Sequence, residues 1–185
     1  MRVVAGSARS ILLETPSGKD TRPTTDRIKE TLFNMLQPYV PGATVLDLFA
    51  GSGGLGIEAL SRGAEYACFV DMSREAVRCI TGNVKRARVD GKSDVLLMDY
   101  RNALLRLNTM GKSFELIFLD PPYGKDLEYQ ALELLDESGL LAEDALIVVE
   151  TALEHDSEPF ERMGYTIEKL KVYKSNQHYF LTKKG

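Results

Sequence analysis

The chain has 185 residues and a mass of 20.6 kDa, room for one main domain and a small appendage. Its 44% hydrophobic content suits a globular protein with a full core, and no apolar run approaches the ~18 residues that span a bilayer. The net charge of −4 argues against a uniformly basic nucleic-acid binder.

Resolved along the chain, that charge is uneven. Residues 1–40 hold six Lys/Arg (Arg2, Arg9, Lys19, Arg22, Arg27, Lys29) against four acids, and the basic residues Lys169, Lys171, Lys174, Lys183 and Lys184 gather near the end. A phosphate backbone responds to such local charge within a Debye length, although either cluster also suits a plain solvated surface. The start Met1-Arg2-Val3-Val4-Ala5-Gly6 lacks a secretory h-region. Cys68 and Cys79 show neither C-x-x-C nor Cys/His ligand spacing, so reduced thiols, no metal site and a cytoplasmic, monomeric protein free of membrane are expected.

In chain order, Val3-Val4-Ala5 and Ile11-Leu12-Leu13 flank Gly6–Ser10 as a hairpin. Thr24-Thr25-Asp26 supplies N-caps for a helix through Arg27–Leu36, which ends before Pro38. A hairpin and one helix bury too little to stand alone. Residues 1–40 are therefore read as an appendage docked near the ligand face of a domain spanning 41–185. From residue 44 strands (44–49, 66–71, 94–98, 114–119, 145–150) alternate with helices (54–62, 73–88, 100–108, 127–137), the rhythm of a parallel α/β sheet. A short helix near 157–163 precedes two period-two segments, 165–173 and 177–182, which should pair antiparallel. Seven strands with an antiparallel last one resemble the Rossmann-like architecture of class I methyltransferases that use S-adenosylmethionine (SAM).

Two motifs carry chemistry. Val45–Gly56 reads as strand, glycine turn and helix start, where close backbone approach and free N–H groups hold a ligand. Gly51, Gly53 and Gly56 satisfy G-x-G-x-x-G with an acid, Asp71, 20 residues beyond Gly51. Asp47 argues against the dinucleotide reading, because a pyrophosphate would lie close to its carboxylate. SAM has no phosphate and brings an ammonium and a sulfonium, and Asp71 would take its ribose hydroxyls. The second motif is Asp120-Pro121-Pro122-Tyr123 after the apolar run Phe114–Leu119, at the strand end where open sheets bind ligands. A carboxylate and a main-chain carbonyl there can accept both hydrogens of an exocyclic NH2, with the Tyr ring stacked on the base. A plain Pro-rich turn is the alternative.

Thr21-Arg22-Pro23-Thr24-Thr25-Asp26-Arg27, Leu46–Gly53, Leu55–Ala64 and Phe118–Tyr123, with the opening Met1–Gly6, together resemble the bacterial RsmD-type enzymes. The resemblance runs nearly end to end, and Tyr173-Lys174-Ser175-Asn176-Gln177 departs from the Tyr-Gly turn of that family. It implies a 16S ribosomal RNA (guanine-N2) methyltransferase acting at guanine 966 on 16S rRNA or an assembling small subunit. Asp120 and the Pro121 carbonyl, with Pro122, would hold the amine and drag it towards tetrahedral geometry for an in-line displacement, and Tyr123 would stack on the base. Gly51, Ser52 and Gly53 would pack under the methionine part of SAM, beside Asp47 and Phe49. Met72 would cover the adenine unless it only packs a helix start. Asp99 would accept the adenine N6 hydrogens unless it only caps a helix, and Tyr100 would lie beside it. Arg2, Arg9, Arg22, Thr24 and Arg27 would meet RNA. No histidine base is needed, which leaves His155 and His178 as surface residues. The rivals are a DNA adenine-N6 enzyme, disfavoured because no DNA-recognition domain fits this length, and a non-catalytic RNA- or NAD-binding protein.

Overall fold

A computed structural model describes residues 1–17 and 25–183. Lys19, Arg22, Thr24 and Lys184 from the sequence reading lie outside the described residues. Helix α1 (Asp26–Met35) leads into β1 (Thr44–Asp47), and four crossovers follow: α2 (Gly54–Ser61), β2 (Tyr66–Asp71), α3 (Arg74–Arg86), β3 (Ser93–Leu97), α4 (Tyr100–Thr109), β4 (Phe114–Leu119), α5 (Leu127–Glu137) and β5 (Leu141–Thr151). The chain closes with α6 (Glu158–Arg162), β6 (Tyr165–Val172) and β7 (Gln177–Lys183). The seven strands form one sheet in the order β3-β2-β1-β4-β5-β7-β6, parallel through β5, with β7 antiparallel to both neighbours.

The strands read as near-continuous apolar runs because helices cover both faces. Successive side chains point to opposite sides. Val45, Phe69, Leu116 and Val148 pack with Leu32 and Phe33 of α1, Ile57 of α2 and Ile80 of α3. Leu46, Cys68, Ile117 and Ile147 pack with Leu104 of α4, Leu132 of α5 and Phe160 of α6. The chain steps outward from β1 to β3, then returns to the other side of β1 at β4. That reversal opens a crevice at the carboxyl ends of β1 and β4, where open α/β sheets bind ligands. Among the described residues, no helix is long and apolar enough to cross a membrane.

The elements follow the sequence reading closely, with two differences. β5 begins four residues earlier than expected, because Leu141 pairs with Phe114 before a register shift brings Leu116 opposite Leu146. A 3-10 turn at Asp90–Lys92, not read from the sequence, leads into β3. Thr25 is the N-cap of α1, its hydroxyl accepting from Ile28 N at 3.3 Å.

The amino-terminal hairpin is a single Arg2–Leu12 bridge flanked by Val3 N to Ile11 O (2.9 Å) and Leu13 N to Met1 O (3.0 Å). Too short to hold itself, it is fixed by polar groups of the main domain. Glu58 of α2, fully buried, accepts from Val4 N at 2.8 Å, Ala5 N at 3.0 Å and Arg62 Nε at 2.8 Å. It also pairs with the fully buried Lys29 of α1 at 3.3 Å. Lys29, counted above with the basic surface, is therefore an internal group. Burial lowers its pKa despite the Glu58 charge. Asn83 of α3 accepts from Glu14 N at 2.9 Å and donates to Glu14 O at 2.8 Å and Ser52 O at 2.9 Å.

Gly6 is held where no side chain fits. Its φ is +83°, and a Cβ there would lie 1.8 Å from the Ser61 carbonyl oxygen. Gly6→Ala should cost about 2–4 kcal/mol in urea denaturation through strain and overlap. Gly82→Ala, on α3 with open space at its Cβ position, should instead stabilise by ~0.5–1 kcal/mol. Equal effects would show that the hairpin does not press on α2 as described.

Candidate active site at the carboxyl edge of the sheet

Each of the five parallel strands delivers an acid to the same edge: Asp47 ends β1, Asp71 ends β2, Asp99 and Asp120 follow β3 and β4, and Glu150 is the penultimate residue of β5. Five carboxylates along one edge repel a phosphate group and suit a cation. How each is compensated separates their roles.

Asp47 is buried and accepts from Gly56 N at 3.0 Å. Burial raises its carboxyl to about 7, with the Gly56 bond opposing and Asp71 adding to the rise. Asp71 binds Gly51 N at 2.9 Å through one oxygen and Ser73 N at 2.8 Å through the other, so it pins the glycine turn to β2. Each oxygen keeps a lone pair for a further donor. Asp99 is the N-cap of α4, accepting from Arg101 N at 3.0 Å and Asn102 N at 3.2 Å. Those bonds, that of Asn102 N foremost, hold its pKa below the ordinary value. The capping alternative left open for Asp99 is thus what the structure contains.

Around these acids, Gly51 adopts φ +57° with open space where a Cβ would stand, so it is the turn residue that a ligand can approach. Ser52 and Gly53 face inward instead. Ser52 is buried with its hydroxyl 3.8 Å from Met1 Sδ, and a Cβ on Gly53 would meet Phe69, Ile57 and Ile80. Phe49 and Tyr100, brought together from the ends of β1 and β3, have ring centroids 5.4 Å apart. Tyr100 is buried and donates to Gln130 Oε1 at 3.0 Å. Met72 is 76% exposed beside Asp71, free to cover a ligand.

Asp120 stands apart. It is half-buried, and among the described residues no donor reaches its carboxylate. Burial, then the charges of Glu150 and Asp47, push its pKa well above the usual carboxylate range. Tyr123 is 38% exposed and donates its hydroxyl to Glu150 at 2.9 Å. Beyond it opens a cleft of about 390 Å³ lined by Tyr123, Glu128, Tyr129, Glu150 and His155 among others, but by neither Asp120 nor the glycine turn.

The sequence reading placed both histidines at the surface, and the structure corrects this. His178 is 1% exposed with Nε2 3.0 Å from Glu150. His155 lies 2.9 Å from Glu128 of α5, its ring clustered with those of Tyr129 and Phe160. Glu150 was also missed, although Val148-Val149-Glu150 repeats the apolar-strand-then-acid signal that marked the other four. Among the described residues no group of three His, Cys, Asp or Glu gathers as a metal site.

The chain matches the family described as Conserved hypothetical protein 95 over residues 1–182. It is 45% identical over 158 residues to "Putative rRNA methyltransferase YlbH" of Bacillus subtilis, covering 85% of this chain and 84% of that one. It is 39% identical over 155 residues to "Ribosomal RNA small subunit methyltransferase D" of Escherichia coli K12, covering 84% and 76%. The chain belongs to this RsmD-type family. The solved Escherichia coli structure named "Putative methyltransferase yhhF" superposes with a TM-score of 0.86 at 33% identity, over 100% of this chain and 98% of that one. The fold of the RsmD-type chain is that of SAM-dependent methyltransferases, as its sequence led one to expect.

A pH test bears on Asp47. A carboxyl whose folded pKa is raised favours the fold while protonated, and that advantage is lost as pH climbs from about 4 to about 7. Asp47→Asn keeps an acceptor for Gly56 N without the charge. Its stability relative to wild type should therefore grow across that window, by up to ~4 kcal/mol, and level off above it. A difference that stays flat with pH would place the Asp47 charge in water.

Proposed function

We propose that this protein methylates the exocyclic N2 amine of a guanine in 16S ribosomal RNA, guanine 966, with SAM as methyl donor. The observation that carries this reading is Asp120. Of the edge acids it alone has no donor among the described residues, and it stands half-buried at the head of Pro121-Pro122-Tyr123. Such a carboxylate is an acceptor waiting for an N–H.

The residues fit SAM on their own chemistry. Gly51 offers an open backbone approach, the half-exposed Asp71 keeps lone pairs for ribose hydroxyls, and the acidic edge suits a cation better than a pyrophosphate. Phe49, Met72, Asp99 and Tyr100 complete the wall, with Ser52 and Gly53 shaping the turn from behind. SAM supplies a methyl group on a positively charged sulfur. The chain's own residues hold the amine: Asp120 and the Pro121 carbonyl accept its two hydrogens, turning the nitrogen lone pair out of conjugation with the ring. Asp120 then takes the proton that the amine sheds as its new bond forms. The elevated basicity of Asp120 serves both tasks, and Tyr123 offers the ring against which the base stacks. The target base leaves any helix stack to reach it.

For RNA, Arg9 and Arg27 are exposed and make no ion pair among the described residues, whereas Arg2 is tied to Asp26 at 3.5 Å. They support an RNA-facing role for the amino-terminal segment. Changing both to Ala should flatten the dependence of log K on log salt by between one and two charges' worth.

The deciding assay is labelled methyl transfer to 16S rRNA and to small subunits lacking the modification, with the product base mapped. Asp120→Ala should leave SAM binding near wild type and lower kcat by ~10²–10³, with Asp120→Asn in between. Label on an adenine N6, or near-wild-type turnover by Asp120→Ala, would overturn the reading.

A further inference from the structure

Glu150 of β5 faces His178 of β7 across the antiparallel pair, and their side chains meet at 3.0 Å in the interior. A carboxylate can only accept, so His178 Nε2 is the donor. The other Glu150 oxygen takes the Tyr123 hydroxyl at 2.9 Å, and the Asn176 side chain, in the β6–β7 turn, favours the charged form of Glu150. Tyr173 packs edge-on against His178, with ring centroids 5.0 Å apart. A buried hydrogen bond of this kind inside an antiparallel ladder needs no function by itself. This one ends on the ring of Asp-Pro-Pro-Tyr, and the Glu150 charge bears more strongly on Asp120 than that of Asp47 does.

We infer that Glu150 and His178 are positioning residues of the amine site: His178 fixes Glu150, which anchors the Tyr123 ring and sets a second negative charge beside Asp120. The inference rests on assigning Asp120 and Tyr123 to the target amine. Tyr123 is more than a third exposed, and its tip is tied by a charge-assisted bond, roughly twice as strong as a neutral one. A stacking surface fixed before the base arrives saves the cost of ordering it on binding. The sequence alone suggests that Tyr123→Phe is mild because the ring suffices. With the hydroxyl anchored, loss of the bond should raise the RNA KM severalfold.

The electrostatic half follows from who faces whom. Leu119 pairs with Val149 and Phe118 with Asp47, so the next residue, Asp120, sits beside Glu150 on one ladder and near Asp47 on the other, while Asp71 acts on Asp47. Glu150 faces His178, Tyr123 and Asn176, with Tyr173 behind them. Burial pushes Glu150 upward, but His178, Tyr123 and Asn176 outweigh it and keep it below its ordinary value. It therefore holds its charge, and that charge keeps Asp120 a strong acceptor.

The test uses the full chain and small ribosomal subunits lacking the methyl group, with SAM calorimetry to confirm that each variant folds. Glu150→Gln keeps an oxygen for Tyr123 and removes the charge. The acid limb of its kcat/KM profile should move to lower pH, and the Asp120 carboxyl should titrate lower by 13C NMR. His178→Leu should raise the RNA KM at least fivefold, and His178→Gln, whose amide reaches the Nε2 position, should return it to within twofold of wild type. If Glu150→Gln moves neither titration and His178→Leu matches His178→Gln, the Glu150–His178 bond is structural only and the inference falls. If wild type methylates no guanine amine, the functional reading falls instead, while the NMR titration still decides whether Glu150 sets Asp120.

Discussion

Crowding five acids at one sheet edge is the constraint around which the rest of the structure is arranged. In a half-buried setting like charges raise one another's free energy steeply, so each must be met by a fixed donor or take a proton. The chain meets four of them locally, with Gly56 N for Asp47, Gly51 N and Ser73 N for Asp71, Arg101 N and Asn102 N for Asp99, and Tyr123 with His178 for Glu150. Two of these donors belong to the glycine turn and the helix behind it, so compensating the acids also shapes the loop. What remains is Asp120, whose missing partner is the target amine under the proposed function. The same edge turns phosphates away, so under the proposed function the RNA backbone is gripped by surface outside the pocket.

The second frame lies behind the loop. Glu58 gathers Val4, Ala5, Lys29 and Arg62 around one buried carboxylate, and Asn83 ties Glu14 to Ser52 of the glycine turn. Removing one partner of such a buried pair costs far more than the pair gains over an apolar replacement, because the survivor is left uncompensated. The amino-terminal residues thus sit in the same core cluster as β1 and α2. They form part of the wall that supports the turn.

Most of the main domain was legible because its signals are local. The apolar runs Val45–Phe49 and Phe114–Leu119, the glycine turn and the Thr25 cap each declare themselves within a few residues. What stayed hidden depends on partners far along the chain. His178 reads as a polar position in a period-two strand, and only the placement of β7 between β5 and β6 sets it against Glu150. Lys29 reads as surface charge until α1 is laid over Glu58. A signal did exist there, since Glu58 is the only charge in Gly54–Ser61, a helix buried at seven of its eight positions. Asp99 shows the converse, where a cap and a ligand acceptor share one sequence signature and only the bonds to Arg101 N and Asn102 N reveal the cap.

The placement of β7 has a consequence for how the molecule comes into being. Among the described residues β7 follows β6 in the chain yet lies inside the sheet, hydrogen-bonded on both sides, and β6 is joined to the sheet through β7. During translation β5 must wait with an open edge while some twenty-five further residues emerge, and β6 cannot join the sheet ahead of its successor. His178 arrives on that strand, so Glu150 acquires its partner only when β7 pairs with β5. A nascent chain stopped short of β7 holds the glycine turn and Asp-Pro-Pro-Tyr but lacks His178 behind Glu150, which ties the assembly of the site to the insertion of β7.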